Sequence, residues 1–171
     1  MTFDEIMQQL EANGNPKSRE ILKRHGAREP FFGVKVEYLK KIQKKVKGDH
    51  DLALSLYATG NSDAMYLAGL IAEPKKMDRD ILQQWAEEAY WYMLSEYTVA
   101  WVAAESDHGL ELALEWIESD RENIASSGWA TLSAILSVRP SELVDMALYK
   151  KLLQRVSDEI HDAPNRVRYT M

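Results

Sequence analysis

The sequence contains no cysteine. That excludes disulfides, thiolate metal sites and a cysteine nucleophile. No apolar run approaches the ~20 residues that span a bilayer, so no membrane association is expected. Glycine and proline are sparse, 8 and 5 in 171 residues, which leaves few positions for the chain to break. No segment makes a convincing strand; Phe31 to Val36 is extended in character but leads directly into a helical pattern. Residues Met1 to Leu10 lack the basic-then-apolar order of a secretory signal. A soluble, cytoplasmic protein is the expectation. There is no Gly-rich phosphate loop, no G-x-S-x-G and no H-E-x-x-H. His25, His50, His108 and His161 stand isolated near predicted helix ends, so neither a metal nor another cofactor is expected.

What is present is helical periodicity from end to end. Phe3, Ile6, Met7 and Leu10 fall at i, i+3, i+4 and i+7, and so do Ala64, Leu67, Ala68 and Ile71. Tyr97, Ala100, Trp101 and Ala104 repeat the spacing, as do Leu110, Ala113, Leu114 and Ile117. Met146, Tyr149, Leu153, Val156 and Ile160 mark a longer last helix. Each set is an apolar stripe that must be buried. Thr2 with Glu5 reads as a capping box. Asn15 before Pro16 reads as an N-cap with proline in the first turn. Gly26, Gly48 and Gly60 sit where helices should stop. The spacing predicts helices over 2–13, 16–25, 36–47, 50–59, 62–73, 78–90, 94–105, 107–118, 121–138 and 141–161. Short connections make successive helices antiparallel, and two helices with their turns take roughly 40 residues, the HEAT period. The fold class is therefore all-α, a HEAT-like stack of helix pairs, read as one domain over 1–171. Ala163 to Met171 looks like a helix start with too few residues to stand alone, so the domain reads as truncated at its C-terminal end.

Charge is distributed unevenly. The net value is −6, yet residues 15–47 carry 11 Lys/Arg against three acids, a balance of +8. Residues 80–123 carry 11 acids against one Arg, a balance of −10. The plainer reading is a pair of solvated helix faces. The functional reading rests on Val36 to Val46, where Val36, Leu39, Ile42 and Val46 face inward and Lys40, Lys41, Lys44 and Lys45 face out. Such a lysine face can neutralise several phosphates and give salt-sensitive DNA binding. The acidic balance and helical-repeat architecture also suit a protein adaptor.

The segment Phe-Gly-Val-x-Val-x-x-Leu-Lys-x-Ile, at Phe32 to Ile42, resembles a motif of the DNA alkylation repair family, the AlkD-like glycosylases built from HEAT-like repeats. The order of later features is similar: the run Tyr66 to Ala72 before Glu73-Pro74, an aromatic-rich stretch from Trp85 to Trp101, and Asp162 to Met171 near the end. The resemblance implies duplex DNA as partner and removal of N3- or N7-alkylated purines. An alkylated purine is already a good leaving group. Catalysis then needs a carboxylate and aromatic faces to stabilise the cationic sugar.

Active members of that family carry a Trp with an Asp four residues later. Here the stretch Tyr90 to Trp101 holds no Asp, and Glu96 is its only carboxylate. Glu96, Trp91 and Trp129 are accordingly the candidate catalytic residues. A basic contact expected before Trp129 is replaced by Ser126-Ser127-Gly128. Lys40, Lys41, Lys44, Lys45, Arg166 and Arg168 are the candidate DNA contacts. Arg166 and Arg168 point about 200° apart on a helix, so one binds phosphate while the other pairs with Asp158 or Asp162. Two readings stay open: an alkylpurine glycosylase using Glu96, or a non-catalytic scaffold binding DNA or protein.

Overall fold

The computed structural model describes all 171 residues. It is helical throughout, with no β-strand, and none of its helices is long and apolar enough to cross a membrane. The chain forms two compact units, Met1–Met77 and Asp78–Met171.

The first unit holds α1 (Phe3–Ala12), α2 (Pro16–Arg24), α3 (Val36–Val46), α4 (His50–Tyr57) and α5 (Ser62–Ile71). Its helix ends follow the sequence signals. The Thr2 hydroxyl accepts the Glu5 N–H, and the Glu5 carboxylate accepts the Thr2 N–H. Asn15 accepts the Ser18 N–H at 2.8 Å. Gly26, Gly48 and Gly60 end their helices with positive φ, which side-chain-bearing residues resist. α5 packs against α3 and α4, burying Leu39, Ile42, Leu56 and Leu67. The inward residues of α3 leave Lys40, Lys41, Lys44 and Lys45 exposed on its other side.

The Phe31 to Val34 motif is a turn built around Asp63. The Asp63 carboxylate, itself buried, accepts the backbone N–H of Phe32 (2.6 Å), Gly33 (3.0 Å) and Val34 (3.0 Å). Burial raises the Asp63 pKa, and the three donors oppose that rise. Gly33 has φ +76°, and a Cβ there would lie 2.8 Å from the Arg19 backbone nitrogen. Only glycine fits both constraints.

The second unit comprises α6 (Arg79–Glu88), a π-helical segment (Met93–Val99), α7 (Ala100–Glu105), α8 (Gly109–Trp116), α9 (Glu122–Val138), α10 (Met146–Glu159) and α11 (Asn165–Thr170). α9 is its axis, touching α6, the π segment, α7, α8 and α11. A Cβ at Gly128 would sit 2.8 Å from the Ile117 nitrogen and 2.9 Å from the Ala113 oxygen. The absent side chain lets α9 approach the end of α8 backbone to backbone.

Four expectations change. The helix expected over 94–105 begins as a π-helix, because the chain wraps wider over Met93 to Val99 than a 3.6-residue period allows. The helix expected over 141–161 splits into a 3₁₀ turn at Ser141–Leu143 and α10, with Asp145 capping the latter. On α10 Leu152 is buried while Leu153 and Met146 are 67% and 59% exposed, so the buried stripe lies one residue earlier than expected at that point. The last residues do form a helix, α11, because it docks on α9 through buried Val167. Tertiary packing supplies what six residues alone lack.

Candidate nucleic-acid interface

Glu96 lies in the π segment. Thr98 Oγ1 donates to the Met93 carbonyl at 3.3 Å, five residues back, and Leu94, Ser95, Glu96, Thr98 and Val99 are all buried. A carboxylate 5% exposed in that company needs a compensating charge. Arg166 supplies it from 70 residues away. Its Nε donates to Glu96 Oε1 at 2.7 Å and its second guanidinium nitrogen to Oε2, a two-pronged fork. The same guanidinium lies 4.5 Å from the Tyr92 ring centroid and 4.4 Å from that of Tyr169, within cation–π range of both. The Arg166 backbone N–H donates to Glu122 Oε1 at 2.7 Å, which fixes the start of α11.

Burial raises the Glu96 pKa, and the Arg166 fork opposes that rise. Glu96 in turn raises the already high pKa of Arg166. The two residues expected to act separately, one on a sugar and the other on a phosphate, are thus bound to each other. Arg166 pairs with Glu96 rather than with Asp158 or Asp162; Asp158 instead accepts the Gln154 side-chain amide at 2.9 Å.

Beside this pair runs a groove of about 290 Å³, lined by Glu96, Tyr97, Trp101, Ser133, Ser137 and Tyr169. Tyr97 meets Trp101 edge-on at 5.4 Å between centroids; burial, then the neighbouring Tyr169, raises its pKa. Trp101 and Tyr169 are 46% and 67% exposed. Neither was singled out as a binding residue from the sequence, where Trp101 fell on a stripe of core spacing.

The remaining candidates are placed differently. Trp91 is buried and stands edge-on to Tyr92 at 5.3 Å, and its indole N–H has no protein acceptor. Trp129 is buried in the core with Leu132 and Ile135, its ring 5.9 Å from the Arg155 guanidinium, which Glu118 and Glu159 hold in place. Arg168 is exposed on α11. The four α3 lysines, in the first unit, take no part in the ion pairs that join Arg19 and Lys23 to Glu29, Arg24 to Glu20 and Lys76 to Glu73.

Short helices packed against their sequence neighbours define a HEAT-like repeat protein, and the comparisons agree. The chain belongs to the DNA alkylation repair enzyme family, whose model matches residues 6–171. A solved structure covers 99% of this chain and 72% of its own at 40% identity, with a TM-score of 0.94. It is described as "A new family of proteins related to the HEAT-like repeat DNA glycosylases with affinity for branched DNA structures". An uncharacterised protein of Listeria monocytogenes is 32% identical over 177 residues, spanning all of this chain and 75% of that protein. A second, from Listeria innocua, is 31% identical over the same extent.

Proposed function

We propose that this protein binds DNA, with branched forms preferred over linear duplex, and that it does not excise bases through Glu96. One observation carries the second part: both Glu96 oxygens are held by Arg166. Stabilising a cationic sugar needs a carboxylate whose charge is still available to the transition state. Here that charge is already matched, and opening the pair would strand a buried ion. The burial of Trp91 also takes its face away from a substrate.

DNA binding is supported by family membership and by the branched-DNA affinity described for the 40%-identical relative. The exposed α3 lysines suit phosphate contact, and Arg168 is free of the Glu96 pair. Each phosphate neutralised adds about −0.9 to the slope of log K against log salt. Reversing Lys40, Lys41, Lys44 and Lys45 to Glu is therefore expected to flatten that slope by about 3 to 4. The test is a titration of a four-way junction and of a linear duplex of matched sequence across salt concentrations. Preference for the junction with a slope that the lysine variant flattens is the expected result. Equal affinity for both forms refutes the preference, and a slope unchanged in the variant refutes the lysine contact.

A further inference from the structure

The aromatic groove beside the Glu96–Arg166 pair has no part in the proposal so far. Its only charged lining residue is Glu96, which Arg166 neutralises. A phosphate or a cation therefore finds no partner on its wall. Its volume, about 290 Å³, falls just below the ~300–1,000 Å³ range of small-molecule sites, which suits a single ring system. Trp101 and Tyr169 are its exposed aromatic rings. Ser133 and Ser137, one turn apart on α9 and both exposed, add hydroxyls that can donate to or accept from a polar ring edge.

Tyr169 is also braced. The Arg166 guanidinium lies 4.5 Å from the Tyr92 ring centroid and 4.4 Å from that of Tyr169, in cation–π contact with both. Tyr97 packs edge-on against Trp101. A large, exposed aromatic ordinarily loses side-chain freedom when it binds. These rings are held before a ligand arrives, which lowers that cost.

We propose that this groove receives one unpaired nucleobase, stacked on the rings of Trp101 and Tyr169, when the protein engages branched DNA. The inference rests on the DNA-binding reading above and deepens it by naming what distinguishes a branched substrate. A fully paired duplex keeps its bases inside the stack, whereas a branch point offers bases that have lost a neighbour. Stacking accepts any base because every base has a π-face. On this view the Glu96–Arg166 pair positions Tyr169 and never touches a sugar.

The experiment places 2-aminopurine at an unpaired position of a branched DNA and follows its fluorescence and binding, with a fully paired linear duplex as control. Wild-type protein is expected to change the probe's emission on binding. Trp101→Ala is expected to abolish that change and weaken branched-DNA binding roughly 5- to 100-fold, with linear duplex affinity unchanged. Trp101→Phe, which keeps a ring, is expected to retain most of both. The exposure of Trp101 makes these variants compatible with folding, and matching circular dichroism and melting curves establish it. Wild-type protein that binds branched DNA without altering the probe overturns the groove alone, as does a Trp101→Ala variant that binds as tightly as wild type. Wild-type protein that binds no DNA overturns the function reading together with the groove.

Discussion

Replacing Arg166 by Met keeps an unbranched stem and removes the guanidinium that holds Glu96. Removing one partner of a fully buried ion pair costs about 3–5 kcal/mol. Here the Glu96 side chain is 3% exposed and that of Arg166 is 28% exposed, so water reaches one side of the pair. The stranded carboxylate can also take up a proton. With an unperturbed value of 4.5, protonation costs about 1.4 kcal/mol per pH unit above that point, which bounds the electrostatic cost near 3.4 kcal/mol at pH 7. We expect a loss of about 2–3 kcal/mol at pH 7 and below about 1 kcal/mol at pH 5. The sign follows from the direction of the shift. Burial places the folded-state pKa of Glu96 above its unfolded value, and removing Arg166 raises it further. Stability from this group is complete below pH 4.5 and declines as the pH rises towards the folded-state value. Urea denaturation of both proteins at the two pH values measures the difference. Adding Glu96→Gln to the Arg166→Met variant removes the stranded charge and is expected to recover part of the loss at pH 7. A cost under about 0.5 kcal/mol, or one equal at pH 5 and pH 7, refutes the account of this pair.

Two further outcomes follow from the first unit. Asp63→Asn replaces an acceptor of three backbone N–H bonds with a group that must turn an NH₂ towards donors or rotate away. It is expected to cost about 3 kcal/mol in chemical denaturation, and a loss below about 1 kcal/mol contradicts the role assigned to the turn. Lys23 and Arg19 hold the pKa of Glu29 down, at about 2. A depressed carboxylate contributes stability above its unfolded value that is lost as the pH falls through its folded value. Melting temperature is expected to drop between pH 4.5 and pH 2, less steeply in Glu29→Gln and less steeply in high salt, since the group is exposed. Parallel curves for the two proteins contradict it.

The parts of the fold legible in the sequence were those set by local chemistry. The Thr2–Glu5 box, the Asn15 cap and the glycines at 26, 48 and 60 each act within a few residues. Periodicity located most helices because one face of each is buried. It failed where the period itself changes, in the π segment over Met93 to Val99, and where packing beats spacing, in the choice of Leu152 over Leu153. The start of α11 was legible at Pro164, but not that the helix would form, because its stability lies in its contact with α9. The Phe32 to Ile42 motif pointed to the right family, while the physical reasons for its Gly33, a positive φ and the close approach of the Arg19 backbone, lay in the fold. Glu96 and Arg166 were each singled out, but for separate tasks. A carboxylate between Leu94 and Val99 signals that a cation must come from elsewhere in the chain. The sequence does not say which one, because pairing over 70 residues depends on how α11 docks.

The central claim, that Glu96 is committed to Arg166 and serves binding rather than excision, is tested most directly by measuring base release. The substrate is duplex DNA carrying 7-methylguanine, incubated with the protein in excess. The account predicts no free 7-methylguanine above the spontaneous rate for wild type, and the same result for Glu96→Gln. Release by wild type that Glu96→Gln suppresses would contradict it.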